Sequence, residues 1–258
     1  MKDNFKQEIL WLMSHALGVS SANILARKTF TREEQAKIDA LLSRYEAGEP
    51  LQYIMGEADF YGRDFYVGPG VLIPRHDTET LIEAVKKYFP SNTEFSFMDW
   101  GTGSGCIAIT ILLEFQKSFA YMIENSYDAL KYAHKNLERF NLNERAAFNV
   151  LPDKLDLIIS NPPYIPSCEI PGLDKTVKDY EPHSALDGGE DGMNFYRLIL
   201  TQAKSLLKLG GYIILEIGNM NQVQALKNFD DEDEFEFVDE IYDMGNFPRC
   251  LVLRRRVD

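Results

Sequence analysis

From Phe95 onward, short apolar runs alternate with stretches of helical spacing. This pattern predicts a strand Phe95 to Trp100, a helix Ser104 to Phe115, a strand Ala120 to Ile123, a helix Ser126 to Phe140, a weak strand Ala147 to Val150 and a strand Leu155 to Ser160. Such a rhythm builds a mostly parallel sheet covered by helices, an α/β fold. After a long loop the pattern resumes with a helix Met193 to Leu207, a buried strand Tyr212 to Ile217 and a helix around Gln222 to Phe229. Paired strands near Phe235 to Tyr242 and Cys250 to Arg255 then close the sheet edge in antiparallel fashion. The beginning of the chain is different. Phe5 to Leu17 carries an apolar helical stripe, Thr31 with Glu34 forms a capping box for a helix through Tyr45, and Gly48-Glu49-Pro50 stops it. Between Phe60 and Ile73, aromatic and β-branched residues broken by Gly62 and Gly68-Pro69-Gly70 read as a β-hairpin or arm, after which Asp77 is placed to cap a helix through Tyr88. The expected division is a helical domain at 1–56, a hairpin linker at 57–75 and the α/β domain at 76–258.

Composition narrows the class. At 258 residues the chain can bury roughly 70 to 75% of its unfolded surface, enough for one large domain and a smaller one. No apolar run approaches the roughly 20 residues that span a bilayer, and Met1-Lys2-Asp3-Asn4-Phe5 leads into helical spacing rather than a secretory signal. A soluble cytoplasmic protein is expected. Against 27 basic side chains stand 40 acidic ones, a net charge of −13 that opposes attraction to a phosphate backbone, so no long nucleic-acid partner is expected. Six of the seven residues Asp230 to Glu236 are acidic, the mark of a solvated loop. Cys106, Cys168 and Cys250 are far apart, and His15, His76, His134 and His183 form no ligand motif, so reduced thiols and no metal are expected. With no obvious exposed apolar stripe, the default is a monomer.

The candidate chemistry centres on Asn161-Pro162-Pro163-Tyr164, directly after the apolar run Leu155 to Ile159. Each proline fixes its own φ and lacks an N–H, and a residue before proline is held extended, so Asn161 and Pro162 sit stiffly at a strand end. The Asn161 side-chain oxygen and the Pro162 carbonyl can each accept one hydrogen of a planar NH2 group, which suits methylation of an amide or amino nitrogen without an ionisable side chain. Tyr164 would offer that group an aromatic face, or else pack against the sheet top.

A second motif, Gly101-Thr102-Gly103-Ser104-Gly105, links a strand to a helix and lets a ligand approach bare backbone, with amides suited to a carboxylate. Position 106 is Cys where the dinucleotide fingerprint wants glycine or alanine, which disfavours NAD and FAD. Glu124 lies nineteen residues after Gly105 at the next strand end, able to accept from both ribose hydroxyls. Together these fit S-adenosylmethionine. Singly, the glycines also read as a tight turn and Glu124 as an ordinary strand-end acid.

One family shares these residues. Pro50 to Ile54, Phe60-Tyr61-Gly62, Val71 to Arg75, Gly101 to Gly105, Asn161 to Ile165, Glu181-Pro182, Gly188 to Gly192 and Leu215 to Gly218 closely resemble the release-factor glutamine methyltransferases, PrmC or HemK, from about Pro50 to Arg254. The resemblance implies a Rossmann-like class I methyltransferase with a seven-stranded, mostly parallel sheet and an antiparallel C-terminal strand, plus a helical N-terminal domain and hairpin arm. The implied reaction moves a methyl group from S-adenosylmethionine to N5 of the glutamine in the Gly-Gly-Gln motif of class I peptide-chain release factors, leaving S-adenosylhomocysteine. By position, Gly101, Thr102, Gly103, Ser104 and Gly105 line the methionine end, Glu124 holds ribose, and Asn161, Pro162, Pro163 and Tyr164 grip the glutamine amide. Asn161 and Pro162 are the catalytic pair, and Asn161 also borders the cofactor. The helices and arm would dock the release factor.

The chain departs from the family in places. Glu124 stands where Asp is usual, and Arg75-His76-Asp77-Thr78-Glu79 replaces Arg-Pro-Glu-Thr-Glu. Between Val150 and Leu155 the loop is short, which leaves adenine with only Asn149 and Val150 nearby. Pro74 and Arg75 read either as substrate contacts or as a packed hairpin end. Glu181 and Arg197 are placed to pair beneath the site in the long loop before the helix at Met193. Two other readings share the tetrapeptide: an amino-group methyltransferase for adenine or guanine in DNA or RNA, which would take its base from single strands or flip it out, and a non-catalytic partner-docking relative.

Overall fold

The computed structural model describes residues 2–229, 234–243 and 245–257. The chain opens with helices α1 (Lys2–Leu17), α2 (Ser21–Ala26), α3 (Arg32–Glu46) and α4 (Leu51–Met55). The capping box starts α3 as its sequence requires: the Glu34 amide donates to Thr31 Oγ1 at 3.2 Å and the Thr31 amide to Glu34 Oε2 at 2.9 Å. Leu12, Ile24 and Ile38 form the small buried centre of this part.

The hairpin lies earlier than its composition suggests. Strands β1 (Glu57–Phe60) and β2 (Arg63–Tyr66) pair across a turn at Tyr61-Gly62, both residues at positive φ. A two-residue turn of this kind matches strand twist. The Tyr61 amide donates to Glu79 Oε1 at 2.9 Å, which ties the turn to the next helix. The stretch from Val67 to Ile73 is not a strand; Val67, Val71 and Ile73 bury themselves with Tyr53, Ala58 and Ala129, and this seats the arm on the larger domain. Asp77 caps nothing. It sits in a short 3-10 turn before α5 (Glu79–Tyr88) and pairs with Arg249 at 3.1 Å.

The larger part follows the predicted alternation: β3 (Ser96–Trp100), α6 (Cys106–Glu114), β4 (Phe119–Ile123), α7 (Tyr127–Arg139), β5 (Ala146–Phe148) and β6 (Leu155–Ser160), then α8 (Lys175–Lys178), α9 (Asn194–Leu206), β7 (Leu207–Glu216), α10 (Met220–Lys227), β8 (Phe235–Tyr242) and β9 (Pro248–Arg255). The seven-stranded sheet has the order β5-β4-β3-β6-β7-β9-β8, and only β9 runs against the others. Strand period two divides the core. Phe97, Leu157, Ile159 and Ile214 pack under α5 and α6, whereas Met98, Ile158, Ile213 and Leu215 pack under α9 and α10. Helix α6 is buried from Cys106 to Leu112, which explains why that stretch is apolar except for Thr110.

β7 begins earlier than expected. Its pairing with β6 jumps from Leu155↔Leu207 to Leu157↔Tyr212, so Lys208 to Gly211 bulge past Asp156, and Lys208 Nζ meets Asp156 Oδ1 at 2.7 Å. Asp230 to Asp233 of the acidic run lie outside the described residues, while Glu236 lies in β8. Among the described residues no helix is long and apolar enough to cross a membrane.

Candidate active site

The strand order reverses direction at β3, which is flanked by β4 on one side and β6 on the other. In open α/β sheets ligands bind beyond the carboxyl ends of the strands at such a point. There lies a cavity of about 490 Å³, within the range of small-molecule sites. Its wall includes Gly101 to Ser104 after β3, Glu124 to Ser126 after β4, Asn161 to Pro163 after β6, Val71, Leu72 and Arg75 from the arm, Thr78 from the turn before α5, and Phe195 and Ile199 from α9. Gly105 and Tyr164, both named from the sequence, are not on the wall.

The glycine loop is a cradle. Gly101, Gly103 and Gly105 all have positive φ (76°, 57° and 82°), a region that costs other residues about 1–3 kcal/mol. A β-carbon built on Gly101 meets nothing within 4 Å, and one on Gly103 meets nothing closer than Val71 at 3.9 Å, so both residues open onto the cavity. A side chain there would fill the space a ligand needs. Beneath the loop, buried Asp99 accepts from Thr102 Oγ1 at 2.6 Å and from the Ala108 amide at 3.3 Å, while its Oδ1 has no partner. Asp99 went unnoticed in the sequence, although an acid inside the apolar run Phe97-Met98-Asp99-Trp100 was the available signal.

Glu124 bridges two loops. Its Oε2 accepts from the Gly103 amide at 2.9 Å and its Oε1 from the Ser126 amide at 2.8 Å. A carboxylate offers about four lone-pair sites, so each oxygen keeps one for a hydroxyl donor. Glutamine in its place would set an NH2 group against one of those amides. Glu124→Gln is therefore expected to weaken S-adenosylmethionine binding by about 10- to 100-fold, as loss of hydrogen bonds to a charged group implies; calorimetric titration measures this. Asn149, at positive φ, accepts through Oδ1 from the Glu124 amide at 3.0 Å, and neither Asn149 nor half-exposed Val150 reaches the cavity wall.

At the end of β6, Asn161 Nδ2 donates to Thr78 Oγ1 at 3.1 Å. No donor among the described residues reaches Asn161 Oδ1 or the Pro162 carbonyl, so both acceptors are free, and both residues line this wall. Tyr164 turns away from it. Its hydroxyl meets Glu216 Oε1 at 3.2 Å, its ring packs with the α9 and α10 core, and its carbonyl accepts from Gln222 Nε2 at 2.8 Å. The aromatic face expected for the substrate is thus used by the protein. Glu181, deeply buried, pairs with Arg75 and also accepts from the Ile73 amide at 3.1 Å; Arg197 pairs instead with Asp191. The expected Glu181–Arg197 pair does not form, because Arg75 on the arm reaches Glu181 first and fixes the arm against the cavity. The four histidines hold one surprise. His76 lies with Asp59 and Glu79, their ligand atoms within 4.8 Å, but Asp59 and His76 are exposed and Glu79 is engaged by the Tyr61 amide.

Two buried carboxyls titrate near neutrality. Burial pushes Asp99 up to about 7 against the Thr102 hydroxyl and the Ala108 amide, with Glu124 adding to the rise. Burial also pushes Glu216 up to about 7 against the Thr78 and Tyr164 hydroxyls and Arg249. Both folded values exceed those of the unfolded chain, so between the ordinary carboxylate range and about 7 the folded state binds more protons. Their contribution to stability is present at the acid end of that window and is lost as pH rises through about 7. Melting temperatures measured from about pH 5 to about pH 8 should fall with pH, and less steeply in Asp99→Asn and in Glu216→Gln; equal slopes in all three proteins would contradict this.

Comparison with known proteins agrees with this geometry. The PrmC N-terminal domain profile matches residues 2–56 and the methyltransferase small domain profile residues 76–170. In fold, the chain resembles a methyltransferase from Pyrococcus furiosus at a TM-score of 0.57, 18% identity and coverage of 86% of this chain and 99% of that one. It also resembles the Thermus thermophilus 16S rRNA N2 G1207 methyltransferase solved with AdoMet and guanosine, at a TM-score of 0.51 and 16% identity over 78% of this chain and 50% of that one. Similarity at this level concerns the fold alone. In sequence, the release factor glutamine methyltransferase of Geobacter sulfurreducens is 41% identical over 223 residues, covering 84% of this chain and 78% of that protein. The same-named protein of Thermodesulfovibrio yellowstonii is 37% identical over 253 residues, 95% of this chain and 90% of that one. Identity of this order over more than three quarters of both sequences is the mark of common descent, and the chain belongs to the release factor glutamine methyltransferase family.

Proposed function

We propose that the chain transfers a methyl group from S-adenosylmethionine to N5 of the glutamine in the Gly-Gly-Gln motif of class I peptide-chain release factors, acting as a cytoplasmic monomer. The observation that carries this reading is the pair of free acceptors, Asn161 Oδ1 and the Pro162 carbonyl, on the same wall as an open glycine cradle. The cradle and Glu124 fit the cofactor's methionine end and ribose. When bound, S-adenosylmethionine supplies a methyl group on a positively charged sulfonium.

An amide nitrogen is a weak nucleophile because its lone pair is delocalised into the carbonyl. Asn161 and Pro162 each accept one of its hydrogens and turn the lone pair toward the reacting carbon. These hydrogen bonds strengthen as the nitrogen becomes cationic, so they stabilise the transition state more than the ground state. Fixed geometry supplies the positional advantage. The nitrogen gains the methyl, S-adenosylhomocysteine is left, and the surplus proton of the cationic amide passes to water, with no general base required. In this reading the helices at 1–56 dock the factor, the hairpin at 57–75 seats them on the domain at 76–258, and the acidic surface needs no nucleic acid.

The direct test uses methyl-labelled S-adenosylmethionine with a class I release factor, the same factor lacking the Gly-Gly-Gln glutamine, and DNA in separate reactions. Label in the unaltered factor alone is expected. Label in DNA or in the altered factor would overturn the reading.

A further inference from the structure

We propose that Tyr180 and Glu181 are positioning residues that hold the N-terminal helices at a fixed distance from the two free acceptors, so that a release factor docked on the helices presents its glutamine to Asn161 and Pro162. The inference rests on the methyl-transfer reading and deepens it. A protein substrate that is gripped at one place and reacts at another needs the two places fixed relative to each other, because slack between them is freedom that must be lost on binding. The covalent link through the arm does not remove that slack. Something must brace the two parts.

The brace is Tyr180-Glu181-Pro182, just after α8 in the long loop that follows β6. Three adjacent residues reach three different parts of the molecule. The Tyr180 hydroxyl donates to the Ala47 carbonyl at 3.0 Å, where α3 ends, and a β-carbon built on Gly48 would lie 3.8 Å from the Tyr180 ring. Glu181 takes hold of the arm. Its Oε2 accepts from the Ile73 amide at 3.1 Å and its Oε1 from Arg75 Nη2, while Arg75 Nη1 donates to the Ile73 carbonyl at 3.0 Å. Pro182, with Ser184 and Ala185 just beyond it, lines the cavity.

The circuit closes on the helical side. Tyr53 on α4 is buried, its hydroxyl donates to the Val71 carbonyl, and the Tyr180 ring packs against the cluster of Tyr53, Val71 and Ile73 that seats the arm. Helices, arm and cavity wall are thus joined in a ring of contacts rather than a string. Glu181 is its centre. Its side chain is 2% exposed, and a carboxylate so buried is unfavourable unless it is paired and hydrogen-bonded. Two donors from one short stretch of the arm meet that need. An apolar contact tolerates sliding, whereas this carboxylate is satisfied only where both donors reach it, which gives the arm a single seat.

The test compares wild type, Tyr180→Phe, Tyr180→Ala and Glu181→Gln on two substrates, an intact class I release factor and a short Gly-Gly-Gln peptide that cannot reach from the cavity to the helices. Calorimetric titration with S-adenosylmethionine checks folding and the cavity. Glu181→Gln sets an NH2 group against either the Ile73 amide or Arg75, so one bond is lost, and Tyr180→Ala removes both the hydroxyl and the ring. Both should raise KM for the intact factor about tenfold, the worth of one such bond, with kcat, the peptide's kcat/KM and cofactor affinity unchanged. Tyr180→Phe, which keeps the ring, should fall between them and wild type. A brace that served stability alone would affect factor and peptide alike. A second readout needs no turnover. With exposed Cys168 replaced by Ser and buried Cys106 and Cys250 left in place, spin labels at Glu33→Cys on α3 and Lys117→Cys after α6 should give a narrow distance distribution without further change, and a broad one when Tyr180→Ala or Glu181→Gln is added. Equal losses on factor and peptide, wild-type KM for the factor in both variants, lost cofactor binding, or equally narrow distributions would overturn the inference. A wild-type protein that leaves the release factor unlabelled would instead overturn the function, and the label distances would still decide the brace.

Discussion

Replacing Asn161 with alanine should slow methyl transfer by about 10²- to 10³-fold, roughly 3 to 4 kcal/mol in the barrier, which is the effect of deleting one oriented dipole from a site where charge develops. Asn161 is well placed to show it. Its Oδ1 has no donor among the described residues, so it has no role in the fold to lose, and its Nδ2 holds only the Thr78 hydroxyl. Folding should survive. The glycine cradle and Glu124 make no hydrogen bond to Asn161, so cofactor affinity should stay near that of wild type. A fall in kcat with intact S-adenosylmethionine binding and melting temperature is the expected pattern. Near-normal turnover would remove Asn161 from the mechanism.

The second large effect should come from Gly192, which touches neither substrate nor cofactor in this account. Its φ is +74°, and a β-carbon there would lie 2.4 Å from the Tyr164 carbonyl oxygen and 2.9 Å from Gln222 Nε2. Both obstacles are fixed. Gln222 holds that same carbonyl at 2.8 Å, and Pro162 and Pro163 stiffen the chain leading to it. Gly192→Ala must then displace the end of the Asn161–Tyr164 segment, adding about 1–3 kcal/mol for the left-handed conformation to about 1–3 kcal/mol for overpacking. A shift of about 1 Å at the reacting groups is enough to cost about 10²-fold in rate. Lower melting temperature together with a hundredfold loss of kcat is expected, whereas Gly172→Ala, with nothing within 4 Å of the new carbon, should behave as wild type in both assays. Equal behaviour of the two variants would show that the loop does not brace the site.

These residues also mark how far the sequence could be read. Strand β6 runs from Leu155 to Ser160 as its apolar run foretells, and the parallel rhythm from β3 to β6 is written locally because each strand is short, apolar and followed by turn residues. β7 exceeds its predicted start because pairing with β6 resumes beyond a bulge, something periodicity does not encode. Asp77 has the residue type of a helix cap, but Arg249, distant in sequence, takes its carboxylate. Tyr164 is the clearest case. Nothing near it says which way its ring turns; Glu216 at the end of β7 and Gly218 just beyond it, whose added β-carbon would lie 2.5 Å from that ring, decide it. Thr78 was invisible for the same reason, since its partner Asn161 is 83 residues away and a threonine before a helix is unremarkable in itself. The motifs announced which chemistry the chain carries, while long-range packing decides which side chains are turned to it.

The most direct measurement is peptide mass spectrometry of a class I release factor after incubation with isotope-labelled S-adenosylmethionine and either wild-type protein or Asn161→Ala. The label should lie on the side-chain amide of the Gly-Gly-Gln glutamine, and should be nearly absent when the variant is used. Label on another residue, or equal labelling of that glutamine by both proteins, would contradict a mechanism built on the two free acceptors at the end of β6.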